Sequence, residues 1–217
     1  MADGESQLFD AHYYATSCGM PYERTAAWFN FFGGLADRIV QEVKPKTVLD
    51  AGCAMGFLVE ALRERGVEAY GIDISEYAIS QVHEDIQPYC RAGSICEPFA
   101  TYGLPERYDL IVNIEVLEHM QPAEVERAIV NLCTHTDDIL FSSSPFDYKE
   151  ATHFHVQPPE YWAERFSLQH FYRDVDFDAS FITQWAVRFR RSQEPAQRLV
   201  RNYERKFLNK RPSWHKS

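Results

Sequence analysis

A chain of 217 residues, 45% of them hydrophobic, is long enough for one well-buried domain and cramped for two. Its formal net charge of −10 argues against nonspecific nucleic-acid binding by the whole domain, and no apolar run reaches the roughly 18 residues of a membrane span. The polar, acidic start does not read as a signal peptide; five cysteines, an odd number without a C-x-x-C, argue against a disulfide framework or zinc knuckle and for a cytoplasmic protein.

Residues 9–22 are aromatic and contain the turn signal Cys18-Gly19-Met20-Pro21. Over residues 23–43, Ala27, Phe31, Leu35 and Ile39 recur every four positions, which predicts one helix face ended by Pro45. A short strand at 47–50, a helix at 56–65 and a strand at 67–72 ending on Asp73 follow. Ser75 is placed to cap a helix to about residue 84. A weak strand at 89–92, a strong one at 108–114, a helix opened by Pro122 and a strand at 138–142 complete the alternation. Strands alternating with helices predict parallel βαβ units in an α/β fold, with the sheet covered on both faces. Beyond Pro145 the pattern changes to a loop at 147–159, a short helix at 159–166, two strands at 171–176 and 181–190, and a terminal helix at 193–208. Residues 188–217 hold ten Lys or Arg against Glu194 and Glu204, a charge of +8 that leaves −18 on the rest. Such a tail suits phosphate, an anionic partner, an acidic face of its own protein, or simply solvent.

The turn Asp50-Ala51-Gly52-Cys53-Ala54-Met55-Gly56 is the most informative stretch. In open α/β sheets, ligands sit at the carboxyl ends of strands, where the strand order reverses. Gly52 permits close backbone approach, Gly56 permits tight helix packing, and Asp50 brings a carboxylate to the strand tip. Asp73, 23 positions after Asp50, is placed to accept hydrogen bonds from ribose hydroxyls. A dinucleotide fingerprint would read G-x-G-x-x-G; Ala54 stands at its middle glycine, which disfavours a pyrophosphate cradle.

These motifs, together with the run from Tyr108 to His119, resemble those of class I S-adenosylmethionine-dependent methyltransferases over residues 47–140. The resemblance implies a Rossmann-like, seven-stranded, mostly parallel sheet with an antiparallel C-terminal hairpin. It divides a single domain into a helical lid or cap at 1–45, a core at 46–192 and a basic helix or tail at 193–217. It also implies that S-adenosylmethionine is the cofactor. Asp50, Ala51, Gly52, Cys53, Ala54, Gly56 and Phe57 would form its first loop, with Asp50 near the ammonium. Asp73, Ile74 and Ser75 would hold the ribose and adenine, and Ser94 and Ile95 the adenine edge. Ser94 departs from the acid that many relatives carry there. Asn113, Ile114, Glu115 and His119 would line the sulfonium end, and Tyr14, Tyr22 and Arg24 of the N-terminal segment would close over it.

The acceptor is read from the loop Ala151-Thr152-His153-Phe154-His155, which follows the fifth strand. If extended, this loop points His153 and His155 the same way. The pair suits a general base for a hydroxyl, a metal site or ordinary loop hydrogen bonding. No obvious carboxylate set accompanies it, so the expectation is catalysis by His153 and His155 without a metal. The loop and its aromatic residues look like small bacterial methyltransferases of glycan assembly. This implies O-methylation of a sugar or glycan hydroxyl, a saccharide or other small molecule as partner, and a glycosyltransferase as possible neighbour. Other small-metabolite acceptors and an inactive cofactor-binding module are the alternatives.

Overall fold

The computed structural model describes residues 6–209, with side chains as far as Lys206. Its strands are β1 (Thr47–Ala51), β2 (Glu68–Asp73), β3 (Cys90–Ala92), β4 (Leu110–Ile114), β5 (Asp138–Ser142), β6 (Phe171–Arg173) and β7 (Val187–Arg191). They form one sheet in the order β3-β2-β1-β4-β5-β7-β6. The first five are parallel, and β7 runs antiparallel between β5 and β6. The expected mixed sheet with an antiparallel C-terminal pair is present. The helices are α1 (Ala11–Thr16), α2 (Ala26–Arg38), α3 (Phe57–Glu64), α4 (Glu76–Ser80), α5 (Pro122–His135), α6 (Pro159–Ser167) and α7 (Ala196–Asn209).

The central strands are apolar almost throughout because both of their faces are covered. Alternation along the strands divides the core in two. Val48, Leu110, Val112 and Leu140 pack with Leu35 and Ile39 of the α2 region and with Leu58 and Leu62 of α3. Leu49, Ala51, Ile111, Ile139 and Phe141 pack on the other face with Val125, Ile129 and Leu132 of α5 and with Trp162 and Phe166 of α6.

Three local expectations are corrected. Leu35 of α2 and Ile39 in the turn that follows it are buried as expected, but at the start of α2 Trp28 and Phe29 turn inward while Phe31 is left 40% exposed. The N-terminal segment rotates that face: Trp28 Nε1 donates to the Pro21 carbonyl at 2.9 Å, and Tyr22 packs on Trp28. α4 is a single short turn, capped as expected by Ser75 but ended at Ser80. Residues 181–186 form turns rather than strand, since Ile182 and Ala186 fold inward onto the first core and Phe181 receives the Arg38 guanidinium.

The basic C-terminal charges answer acids of the same fold. Arg188 pairs with Asp138, Arg191 with Asp137, and Arg205 and Lys206 with Asp176. Arg190 also approaches Asp138, Arg198 pairs with Glu194, and the positive charges at 210, 211 and 216 lie outside the described residues. No helix among the described residues is long and apolar enough to cross a membrane.

Phe166 is fully buried and stacks on Phe189 with ring centroids 4.5 Å apart, joining α6 to β7. Phe166→Ala is expected to cost about 3–5 kcal/mol in urea unfolding. Val200→Ala, at an exposed position of α7, should stay within about 0.5 kcal/mol of the parent.

Candidate functional site

The site begins where β1 and β4 diverge. The two strands pair as far as Asp50 and Val112. One residue later the Asn113 amide reaches across and donates to the Ala51 carbonyl at 2.7 Å. This is the strand-order reversal, and the crevice opens above it. Gly52 N and Cys53 N both donate to the Ile72 carbonyl, at 2.8 and 3.1 Å, so the turn after β1 is tied to the end of β2. Gly52 has φ +96°, and a Cβ there would lie 2.2 Å from a Val116 methyl. Only glycine lets the two loops approach this closely. Asp73 accepts from Ala54 N with one carboxylate oxygen and from Ser75 N with the other, each at 2.8 Å.

A cavity of about 540 Å³ lies over these strand ends. Of the residues singled out from sequence, Asp50, Gly52, Cys53, Ala54, Asp73, Ile74, Ser94, Ile95, Ile114, Glu115, His119 and His153 line it, roofed by Tyr14 and Tyr22. The others act from behind or lie elsewhere. Ala51 is in the sheet core, and Gly56 opens α3 beneath the loop. Phe57 is fully buried and stacks on Tyr22. Ser75 is buried, and its hydroxyl donates to the Phe9 carbonyl, tethering the N-terminal segment. Asn113 is buried at the strand junction. Arg24 forms a two-pronged ion pair with Glu60 on α3.

The two histidines of the loop after β5 are not brought together. His153 lines the cavity. His155 is 7% exposed; its backbone N–H donates to the Glu118 carbonyl, and its Nε2 lies 2.9 Å from the Tyr161 hydroxyl. The loop bends at Phe154 instead of running extended, so alternation does not hold. Sequence reasoning also missed Phe9, Tyr13, Glu150 and Trp185, all of which line the cavity. Glu150, three positions before His153, was the available signal.

The electrostatics are those of a binding site. Burial pushes the Asp50 carboxyl up to about 8, and the neighbouring Asp73 adds to the shift. Burial also raises Asp73, against the pull of the Ser75 and Ala54 N–H groups. Glu118 is fully buried and raised by burial and by Glu115; it accepts from Ser144 N at 2.9 Å. Glu115, at φ +52°, accepts from Trp185 Nε1 at 2.9 Å. His119 is held at about 4 by burial first and His153 second, which keeps it neutral. Two closely spaced buried carboxyls facing one cavity favour a ligand that brings a cation and hydroxyl donors.

Residues 23–177 match a protein family described as a methyltransferase domain. Over 102 residues the chain is 32% identical to the ubiquinone biosynthesis O-methyltransferase of Pseudomonas fluorescens (strain SBW25), a match covering 45% of this chain and 44% of that protein. The alignment thus spans less than half the length of this curated relative. Among solved structures, magnesium protoporphyrin IX methyltransferase from Synechocystis PCC 6803 with bound S-adenosylmethionine aligns over 87% of this chain and 97% of its own, at 18% identity and a TM-score of 0.59. The Burkholderia thailandensis 1,6-didemethyltoxoflavin-N1-methyltransferase, with bound 1,6-didemethyltoxoflavin and S-adenosylhomocysteine, aligns over 88% of both chains at 15% identity and a TM-score of 0.61. At such identities the likeness is one of fold.

The raised Asp50 sets a pH dependence. A carboxyl protonated in the folded state and ionised in the unfolded one makes stability fall as pH rises between the two pKa values. From about pH 5 to about pH 8 the parent protein should therefore lose stability relative to Asp50→Asn, measured by urea unfolding at each pH. Parallel pH profiles would sink the assignment.

Proposed function

The chain belongs to the family of methyltransferase domains, and we propose that it moves a methyl group from S-adenosylmethionine to a hydroxyl oxygen of a small acceptor. The observation that carries the donor is the pairing of Asp50 and Asp73 at one cavity over the strand reversal. A ligand with an ammonium at one end and ribose hydroxyls at the other fits both carboxyls. When bound, S-adenosylmethionine supplies an activated methyl on a sulfonium; the protein's share is alignment and exclusion of water.

Asp73 uses one lone pair of each oxygen on Ala54 and Ser75, so both oxygens keep capacity for ribose hydroxyls. Asp50 faces the ammonium, whose charge returns its carboxyl to the ionised form. Gly52, Cys53 and Ala54 lie against the methionine part, Ile74 packs on adenine, and Ser94 and Ile95 meet its edge. Ile114, Glu115 and His119 line the sulfonium end. Ala51, Gly56, Phe57, Ser75 and Asn113 position these groups from behind. Tyr14 and Tyr22 serve as a roof; burial holds both phenols well above their usual range, so they stay neutral.

For the acceptor, loss of the hydroxyl proton depends on His153, the loop histidine that reaches the cavity. A saccharide is supported by Phe146 and Tyr148, 75% and 73% exposed on the same loop, whose faces suit sugar rings. A second reading, a non-sugar hydroxyl, is favoured by the O-methyltransferase relative in ubiquinone biosynthesis and by the apolar wall of Phe9, Met120, Phe154 and Trp185.

Calorimetric titration with S-adenosylhomocysteine should show binding to the parent protein that is lost in Asp73→Ala and weakened in Asp73→Asn. Binding of NAD instead would overturn the donor. Radiolabelled methyl transfer over sugars, nucleotide sugars, glycolipids and phenols then sorts the acceptors. On the acceptor so found, His153→Ala should lower kcat by about 10²–10⁴-fold with cofactor affinity unchanged. Full turnover in that variant rejects the role of His153.

A further inference from the structure

Two loops meet at the acceptor end of the cavity. One is the single turn Leu117–His119 after β4, and the other is the segment after β5 that carries Glu150 and His153. Buried Glu118 stitches them together: its carboxylate accepts from Ser144 N, and its carbonyl accepts from His155 N at 2.8 Å. This stitching brings one potential ligand atom each from His119, Glu150 and His153 within 4.8 Å of one another.

The hydrogen bonds around these three residues prepare them as ligands. His153 Nδ1 lies 2.7 Å from the Asp147 carbonyl, which can only accept, so Nδ1 carries the proton and Nε2 a lone pair. His119 Nδ1 faces the Thr152 carbonyl at 3.2 Å and the Thr152 hydroxyl at 2.9 Å. That hydroxyl has already given its hydrogen to Glu150 at 2.6 Å. His119 is therefore also protonated at Nδ1 and unprotonated at Nε2. Glu150 takes both the N–H and the hydroxyl of Thr152 on one oxygen, which leaves its other oxygen available. Metal-binding histidines are characteristically oriented in this way, by an acceptor on the ring nitrogen that does not touch the metal. The two imidazole rings lie 4.5 Å apart at 69°, roughly edge to face.

We propose that His119, Glu150 and His153 bind one divalent transition-metal ion of the Zn²⁺ type, with a coordination position open to the cavity. Imidazole nitrogen with a single carboxylate selects such an ion over Mg²⁺ or Ca²⁺, which prefer oxygen throughout. Three protein ligands leave the open position typical of catalytic rather than structural sites. One ligand atom of each residue already lies within 4.8 Å of the others, against about 3.3 Å between donors on a tetrahedral ion. This replaces the metal-free pair His153 and His155 expected from sequence. Binding of the ion stands apart from the methyltransferase reading; its use rests on that reading. An acceptor hydroxyl at the open position loses its proton to water more readily, and His153 then acts as a ligand to the ion instead of taking the proton itself.

The test is equilibrium dialysis of the chelator-treated full chain against Zn²⁺, with Co²⁺ absorption as a second readout and Mg²⁺ as a control. The expected result is one Zn²⁺ or Co²⁺ per chain, a Co²⁺ spectrum without the sulfur-to-metal band that the free cysteines would produce, and no competition by Mg²⁺. His119→Ala and Glu150→Gln should each weaken binding more than about 100-fold, and Thr152→Val by about 10–100-fold. Absence of a stoichiometric ion in the parent, or its retention in Glu150→Gln, overturns the site. Urea unfolding of the same samples reports that each variant is folded, and the parent is also titrated for S-adenosylhomocysteine binding. Failure of that binding in the parent would overturn the donor assignment while leaving the metal titration to be judged by itself.

Discussion

The arrangement of this site depends on one carboxylate. Asp73 ends β2 and holds two backbone N–H groups, one from the loop after β1 and one from the turn that starts α4. Without these bonds the loop after β1 and the turn into α4 would lose their common anchor, and Ala54, at its unusual φ of +47°, would lose the acceptor of its N–H. The same carboxylate keeps free lone pairs toward the cavity. A single group therefore shapes the loop and presents its own acceptors to a ligand. Its burial is costly, and the two donated hydrogen bonds are what offset that cost.

Around this clasp the site has a front and a back. At the front stand the residues that line the cavity: Asp50, Gly52, Ala54 and Glu115. At the back, Asn113 spans β1 and β4, Phe57 supports the Tyr22 roof, and Ser75 anchors the N-terminal segment by its carbonyl at Phe9. The roof is mostly aromatic: Tyr14, Tyr22, Trp28 and Phe32 cluster over α3 with Phe57. Large apolar faces exclude water, and the low-dielectric interior so formed strengthens every charge interaction beneath it.

The loops after β4 and β5 are organised by Glu118 much as the loop after β1 is organised by Asp73. Each is a buried acid that binds a backbone N–H of a neighbouring loop; Asp73 ends β2, and Glu118 sits in the turn after β4. Parallel strands leave their carboxyl-end loops without ladder partners, so these loops need side chains to fix them relative to one another. That need explains why Glu118, which does not line the cavity, lies in the same short run as Glu115 and His119, which do.

Most of the sheet was legible in the sequence. Short apolar runs between helix-length segments, with Gly52 and Gly56 after the first and Asp73 at the end of the second, have few other parallel solutions. The end of the cavity lined by Asp50, Gly52 and Asp73 was legible for the same reason: these residues come from one turn and two strand tips that adjacent parallel strands set side by side. What depended on tertiary contacts was out of reach. Which side of α2 is buried at its start was decided by Pro21 and Tyr22, far from any helical period. That His153 enters the cavity while His155 turns into the core was decided by Glu118 and Tyr161, across a bend that no alternation describes. The meeting of His119 with Glu150 and His153 joins loops about thirty residues apart, and only the parallel pairing of β4 with β5 brings their ends together. The sequence by itself thus determined the fold and the placing of Asp50 and Asp73 at two neighbouring strand tips, because local periodicity and turn chemistry encode them. The tertiary structure alone decided which side chains of the loops after β4 and β5 meet in the cavity, because loop side chains take their direction from whatever they are packed against.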